Sequence, residues 1–291
     1  MQKSTRRCPG ALSDGRGMRL AVTGAQNASP MAPVLLRGEL AGVVAEAKKM
    51  GYEGVEIHVP DIWDFDAKGF AAMCRAAGIA VSALVSGQLF VRKGLNLSDD
   101  NREIVARAME GLRLFIDAAA TLECGVVIGW VRGRVGERDR AEILSRQAEA
   151  LKEVDAYAKQ NGAPLYLEVI NRYELDSLVT AEETVDFIRK NDLESTFVHL
   201  DTFHMNIDEY SPAKAIRQCG PLLGYVHVAE NTRHYPGHGR LDFDEVFTAL
   251  EAVGYDGFVS VECLPLPSGP EAARRAREFL AYRYLYPRYY E

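Results

Sequence analysis

An α/β fold of the (β/α)8 TIM barrel type, eight parallel strands inside a ring of eight helices, is what this amino-acid sequence encodes, on three observations. From Met18 onward, short β-rich runs alternate with helical patterns eight times in succession. The runs are mostly continuous apolar stretches, as expected for strands covered on both faces of a parallel sheet. Eight is also the number of βα units that closes a barrel. The competing doubly wound open sheet usually carries a Gly-rich phosphate loop after its first strand. Here that strand leads into GAQNASPMAP, with neither GxGxxG nor a P-loop pattern.

Taken in order, the first strand is expected at Arg19–Thr23, with a helix at Gly38–Met50 and Gly51 where a helix stop belongs. Gly54–His58 is followed by a helix over Asp66–Ala77 that Gly78 ends. Ala80–Val85 precedes a helix at Asp99–Leu122, whose start is marked by Ser98 and an acidic first turn (Asp99, Asp100). Gly125–Trp130 leads to Arg138–Gln160, closed by Gly162. Leu165–Val169 leads to Ala181–Lys190, where Thr180 and Glu183 have capping-box spacing. The last three units pair Thr196–Asp201 with Pro212–Cys219, Gly224–Ala229 with Asp242–Val253 ahead of Gly254, and Gly257–Glu262 with Gly269–Tyr284. Residues 1–17 are rich in Gly, Ser and Arg without a period and read as a flexible N-terminal tail; residues 18–291 read as a single barrel domain.

Composition narrows the function classes. The chain has 291 residues, 47% of them hydrophobic, enough for one large core. No apolar run approaches the roughly 20 residues that span a bilayer, and the N-terminus lacks the apolar segment of a secretory signal, so no membrane association and a cytoplasmic location are expected. The net charge of -7 argues against nucleic acid as a partner, because phosphate binding calls for a basic surface. Five widely spaced cysteines without a CxxC pair read as reduced thiols rather than a disulfide framework or zinc knuckle. Among them Cys263 is expected to face outward into the core, since the preceding Glu262 faces the other way.

Four consecutive strand ends carry the chemistry. LYLEV supplies Glu168, FVHLD supplies Asp201, GYVHVA supplies His227 and FVSVEC supplies Glu262. The carboxyl ends of barrel strands form the active-site rim. A single strand-end carboxylate is more often a helix cap or salt-bridge partner, and a lone strand histidine more often a satisfied core residue. Three carboxylates on one rim, however, lose hydration and repel one another. A divalent metal ion held by Glu168, Asp201, His227 and Glu262 resolves that cost. Three oxygens and one nitrogen suit Mn2+, Mg2+ or Co2+, while structural zinc sites favour sulfur and nitrogen.

The segments LEVINRYE (Leu167–Glu174), HLDTFHMNIDE (His199–Glu209), HVAENTRHYPGHGRLDFDEV (His227–Val246) and GYDGFVSVE (Gly254–Glu262) resemble the D-tagatose/D-psicose 3-epimerase family. That family lies within the xylose-isomerase-like TIM barrels of sugar and sugar-phosphate isomerases and epimerases. The likeness is specific over residues 160–265 and is one of fold alone before that. It implies one divalent ion, commonly manganese, on the same four residues, with Glu168 and Glu262 as an acid/base pair on opposite faces of a ketose. One glutamate removes the proton next to the ketone, the metal stabilises the cis-enediolate, and the other returns a proton to the opposite face. Which glutamate acts first stays open. Glu174, His204 and Arg233 match the family's contacts to the O1–O3 end of the substrate, in loops beyond the strand ends. Homo-oligomers, dimers or tetramers, are also implied by the resemblance.

His58 and Trp130 are further candidates for the pocket mouth, although barrel packing suits Trp130 equally and His58 could simply bond a loop. His199 reads as a deeper interior residue, and His234 and His238 as rim or solvent-facing residues. Arg132 and Arg134 sit where they could meet an anionic group at the far end of a substrate, with solvated arginines or a subunit contact as the commoner reading. The C-terminal run AYRYLYPRYYE reads as a segment packed under the barrel or as a dimer contact. Alternatives on the same residues are a sugar-phosphate or inosose isomerase, or a keto-sugar lyase. An apurinic endonuclease-like barrel needs more strand-end histidines than a chain with six in all readily supplies. A sugar binder without turnover has no use for a base on each face.

Overall fold

Eight strands run in parallel in chain order: β1 (Arg19–Ala25), β2 (Gly54–His58), β3 (Ala80–Val85), β4 (Gly125–Ile128), β5 (Leu165–Glu168), β6 (Thr196–Asp201), β7 (Leu223–Val228) and β8 (Phe258–Val261). Each pairs with the next, and β1 pairs with β8, so the sheet closes into a barrel. A two-residue extension, Leu36–Arg37, continues the sheet beside the end of β1. This computed structural model describes residues 17–285. The tail expected at 1–17 therefore lies, except for Gly17, outside the described residues, as does the end of the aromatic run at 286–291.

The outer ring is α1 (Leu40–Lys49), α2 (Ala67–Ala77), α3 (Arg102–Leu122), α4 (Arg140–Asn161), α5 (Ala181–Lys190), α6 (Pro212–Cys219), α7 (Phe243–Ala252) and α8 (Gly269–Leu280). Polar side chains accept hydrogen bonds from free amides at most helix starts, as with Asp66, Asn101, Asp139 and Ser211. Thr180 caps α5 as expected, but Glu183 accepts from Val179 rather than from the cap residue itself. The start expected at Asp99 moves to Arg102, because Asn96, Asp99 and Asn101 bond the intervening amides into a turn. Gly78 and Gly162 end their helices in the left-handed conformation, as their positions imply.

Two cores result. The larger one fills the space between sheet and helices. The smaller one fills the barrel with Ala21, Ala83, Val85, Val127, Tyr166, Phe197, Tyr225 and Phe258. Its rings sit low: Tyr166 stacks on Tyr225 at 5.0 Å, and Gly125 is required beside them, since a Cβ there would lie 2.3 Å from the Tyr166 ring. Alternation then sets what lies above. Two residues beyond Tyr166 comes Glu168, four beyond Phe197 comes Asp201, two beyond Tyr225 comes His227, and four beyond Phe258 comes Glu262. The aromatic floor thus fixes the direction of every candidate ligand.

At the rim two short helices appear that the sequence did not predict, Gln88–Lys93 and Thr202–Asp208. Trp130 opens a 3-10 turn, Trp130–Arg132, instead of ending β4. At the chain end, Tyr284 stacks on Phe247 of α7 at 4.2 Å, so this part of the aromatic run packs on the barrel.

Candidate active site

Glu168, Asp201, His227 and Glu262 converge at the carboxyl end of the barrel, all buried, with ligand atoms within 4.8 Å of one another. Strand register brings them there: Asp201 lies beside His227, and His227 beside Ser260, two residues before Glu262. Asp201 divides its oxygens. Oδ1 accepts from the Phe203 amide at 2.8 Å and starts the Thr202–Asp208 helix, while Oδ2 has no hydrogen-bond partner. His227 is divided in the same way. Its Nε2 lies 2.7 Å from Glu56 Oε2 and donates to it. Its Nδ1 has no hydrogen-bond partner and lies 3.9 Å from Glu168 Oε1 and 3.6 Å from Glu262 Oε2.

These open atoms fit a cation. A buried acceptor without a donor is costly, and here an oxygen and an imidazole nitrogen are both left open toward the same point. Burial, then Glu262, pushes the Glu168 carboxyl up to about 8. Burial likewise raises Asp201 to about 6, with Arg233 opposing. For His227 burial works against protonation, but Glu56 and Glu262 outweigh it and raise the imidazole to about 10. Without a metal, the cluster thus retains protons that a divalent ion would displace. Three carboxylate oxygens and one nitrogen could hold Mn2+, Mg2+ or Co2+.

Around the cluster, Arg233 donates to Glu174 Oε1 and Glu262 Oε2, each at 3.0 Å, with its guanidinium 4.7 Å above Phe203. Asn171 donates to His204 Nδ1 at 2.6 Å. The His204 proton therefore sits on Nε2, which faces Asp201 at 3.6 Å and Glu168 at 3.8 Å. Burial, then Arg233, keeps the His204 imidazole neutral by lowering it well below its usual value. The structure thus brings Glu174, His204 and Arg233 to the cluster, with His204 on a helix rather than in the loop expected for it. His58 and Trp130 line the same cavity, His58 at 3.6 Å from Glu262. His199 is fully buried against His227, as a deeper residue should be. Cys263 faces the outer core, and His238 is exposed.

Arg132 and Arg134 require correction as anion contacts. Arg132 is fully buried and donates to the backbone oxygens of Glu168 and Ser177 at 2.7 and 3.1 Å. Arg134 donates to the Glu174 carbonyl. Neither lines the cavity: Arg132 braces the rim from behind, and Arg134 is an exposed side chain bonded to the backbone.

Glu56 was absent from the sequence-level candidates. It is fully buried in β2 and accepts from Tyr225 as well as His227, both at 2.7 Å. Burial works to raise its carboxyl, but the adjacent His227 holds it well below the usual range. The signal was present in GVEIH: a charge inside an apolar strand, on the same face as His58.

The chain matches the xylose isomerase-like TIM barrel family over residues 44–283. It is 32% identical over 229 residues to L-ribulose 3-epimerase of Mesorhizobium japonicum, covering 78% of this chain and 76% of that one. It is 30% identical over 227 residues to D-psicose 3-epimerase of Agrobacterium fabrum, covering 75% and 77%. A solved structure of L-ribulose 3-epimerase superposes with a TM-score of 0.79 at 28% identity, covering 91% of this chain and 93% of that one. The chain belongs to the xylose isomerase-like TIM barrel family and, within it, to the carbohydrate epimerases whose named members include the ketose 3-epimerases.

Proposed function

We propose that the protein is a ketose 3-epimerase dependent on one divalent cation, Mn2+ before Mg2+ or Co2+, with residues 18–291 as its catalytic domain. The observation that carries this reading is the pairing of Glu168 and Glu262. They come from β5 and the end of β8, and both approach His227 Nδ1, at 3.9 and 3.6 Å. Glu168, Asp201, His227 and Glu262 would hold the cation. When bound, it supplies positive charge that offsets the negative charge developing on the substrate oxygens.

Each protein group then has a defined task. One of the two glutamates takes the proton from C3 of the ketose, leaving a cis-enediolate, and the other returns a proton to the opposite face. His204 presents an N–H and Arg233 a guanidinium to the O1–O3 end of the sugar, with Glu174 accepting from a hydroxyl. The buried aromatic floor closes the site from below. The reading extends to a homo-oligomer, dimer or tetramer, on the family resemblance, and to a cytoplasmic location on composition.

The test is NMR of the Mn2+-loaded protein in D2O with free and phosphorylated ketoses. Deuterium should enter at C3 as the epimer appears. Glu168→Gln and Glu262→Gln should each lower the rate by about 10^2- to 10^4-fold, the usual worth of a general acid or base. A bound metal without exchange in any ketose would exclude this reading and direct the search to inososes and keto-glycosides.

A further inference from the structure

The loop after β5, residues 169–180, carries two groups of the candidate site. Glu174 accepts from Arg233, and Asn171 donates to His204 Nδ1. The path of this loop is not a relaxed one. Leu178 is buried with a φ of 53°, a left-handed conformation unfavourable for a residue with a Cβ. Such a conformation persists only where the surroundings enforce it.

Here the neighbouring segment after β4, WVRGRVGERDR (Trp130–Arg140), enforces it. Arg132 donates to the carbonyls of Glu168 and Ser177 at 2.7 and 3.1 Å, the second immediately before Leu178. Arg134 donates to the Glu174 carbonyl at 2.6 Å, and Arg140 to the Asp176 carbonyl at 2.5 Å. In return, the Asp176 carboxylate accepts from the Val135 and Gly136 amides at 2.7 and 2.8 Å. Three guanidiniums thus hold four backbone oxygens of β5 and its loop, and bonds from charged donors are the stronger kind. Glu174 is fixed from two sides: its carboxylate by Arg233, its carbonyl by the exposed Arg134.

We infer that this arginine-rich segment positions the loop for substrate binding: Arg134, which belongs neither to the cluster nor to the cavity wall, sets where the Glu174 carboxylate meets a substrate hydroxyl, and Asp176 keeps the two loops in that register. This rests on the epimerase reading above.

The test measures C3 epimerisation of D-psicose and L-ribulose by the Mn2+-loaded full chain, using whichever sugar turns over faster. Arg134→Met and Asp176→Ala should each raise KM at least fivefold. Both should keep kcat within twofold and Mn2+ affinity unchanged in calorimetry, since a binding contact is misplaced and proton transfer is not. Arg134→Lys keeps one charged donor and should stay within twofold of the wild type. A loss of stability alone would not produce this split, and a double-mutant cycle isolates the route. In a Glu174→Ala background, Arg134→Met should cost less than twofold in KM. An unchanged KM in both single variants, or an Arg134→Met penalty that persists in full without the Glu174 carboxylate, refutes the inference while the epimerase reading stands. If the wild type exchanges neither sugar at C3, both fall together.

Discussion

Glu56 shows how much one buried side chain can decide. By accepting from His227 Nε2 at 2.7 Å it sets the tautomer that leaves Nδ1 open toward the carboxylates. Partners of this kind typically contribute 10- to 100-fold in metal affinity. Glu56→Gln should therefore weaken Mn2+ binding by about that factor in calorimetry, and an unchanged affinity would remove Glu56 from the site. Protons compete for the same place. Glu168, raised to about 8 by burial and Glu262, and Asp201, raised to about 6 by burial, stand above ordinary carboxyls near 4. For groups raised in this way, protonation favours the metal-free fold at low pH, and that contribution is lost as pH rises through 6 and then 8. A cation needs the deprotonated forms. Its affinity should rise at least tenfold from pH 6 to pH 8, with proton release on binding; a flat profile would contradict the raised carboxyls.

The short elements at the rim convert these residues into a shaped site. Asp201 ends β6 and caps the helix that carries His204, so one carboxylate couples the cluster to the proposed substrate contact. Behind it, Arg132 ties the 3-10 turn after β4 to the carbonyl of Glu168. Gly129 precedes that turn, and a Cβ there would lie 2.7 Å from Glu168 Oε2. Gly129→Ala should displace the carboxylate and lower kcat by about 100-fold, the cost of an ångström-scale misplacement, with little change in melting temperature. Asp139, by contrast, caps α4 away from the cavity. Asp139→Ala should cost about 1 kcal/mol in urea unfolding and leave kcat unchanged.

Barrel closure brings the four candidate ligand positions together, so a cation held there would also be part of the fold's stability. The rim holds buried carboxylates from β2, β5, β6 and the end of β8, partly balanced by Arg233 and His227. A cation that binds only the folded chain adds about 4 kcal/mol when present at a thousand times its Kd. Chelation should therefore lower the melting temperature by several degrees, and Mn2+ should restore it. In Asp201→Asn the chelator effect should largely vanish. An equal shift in that variant would place the stabilising ion elsewhere.

Strand and helix periods were legible in the chain because they depend on neighbours a few residues apart, and the eight-fold alternation followed from them. The strand-end residues Glu168, Asp201, His227 and Glu262 were legible for the same reason: a charge or imidazole at the end of an apolar run stands out locally. Helix starts were less so, and α3 begins three residues late because competing side-chain bonds among Asn96, Asp99 and Asn101 win locally. What only the tertiary structure decided is which distant groups meet. Glu56 and His227 are 171 residues apart, and Arg132 reaches the Glu168 carbonyl 36 residues on instead of the cavity. Such encounters are set by strand stagger and by turns that aim a side chain inward or outward. Sequence by itself thus determined the barrel and the residues able to bind a metal, while closure of the sheet determined their hydrogen-bond partners, their protonation and the size of the space above them.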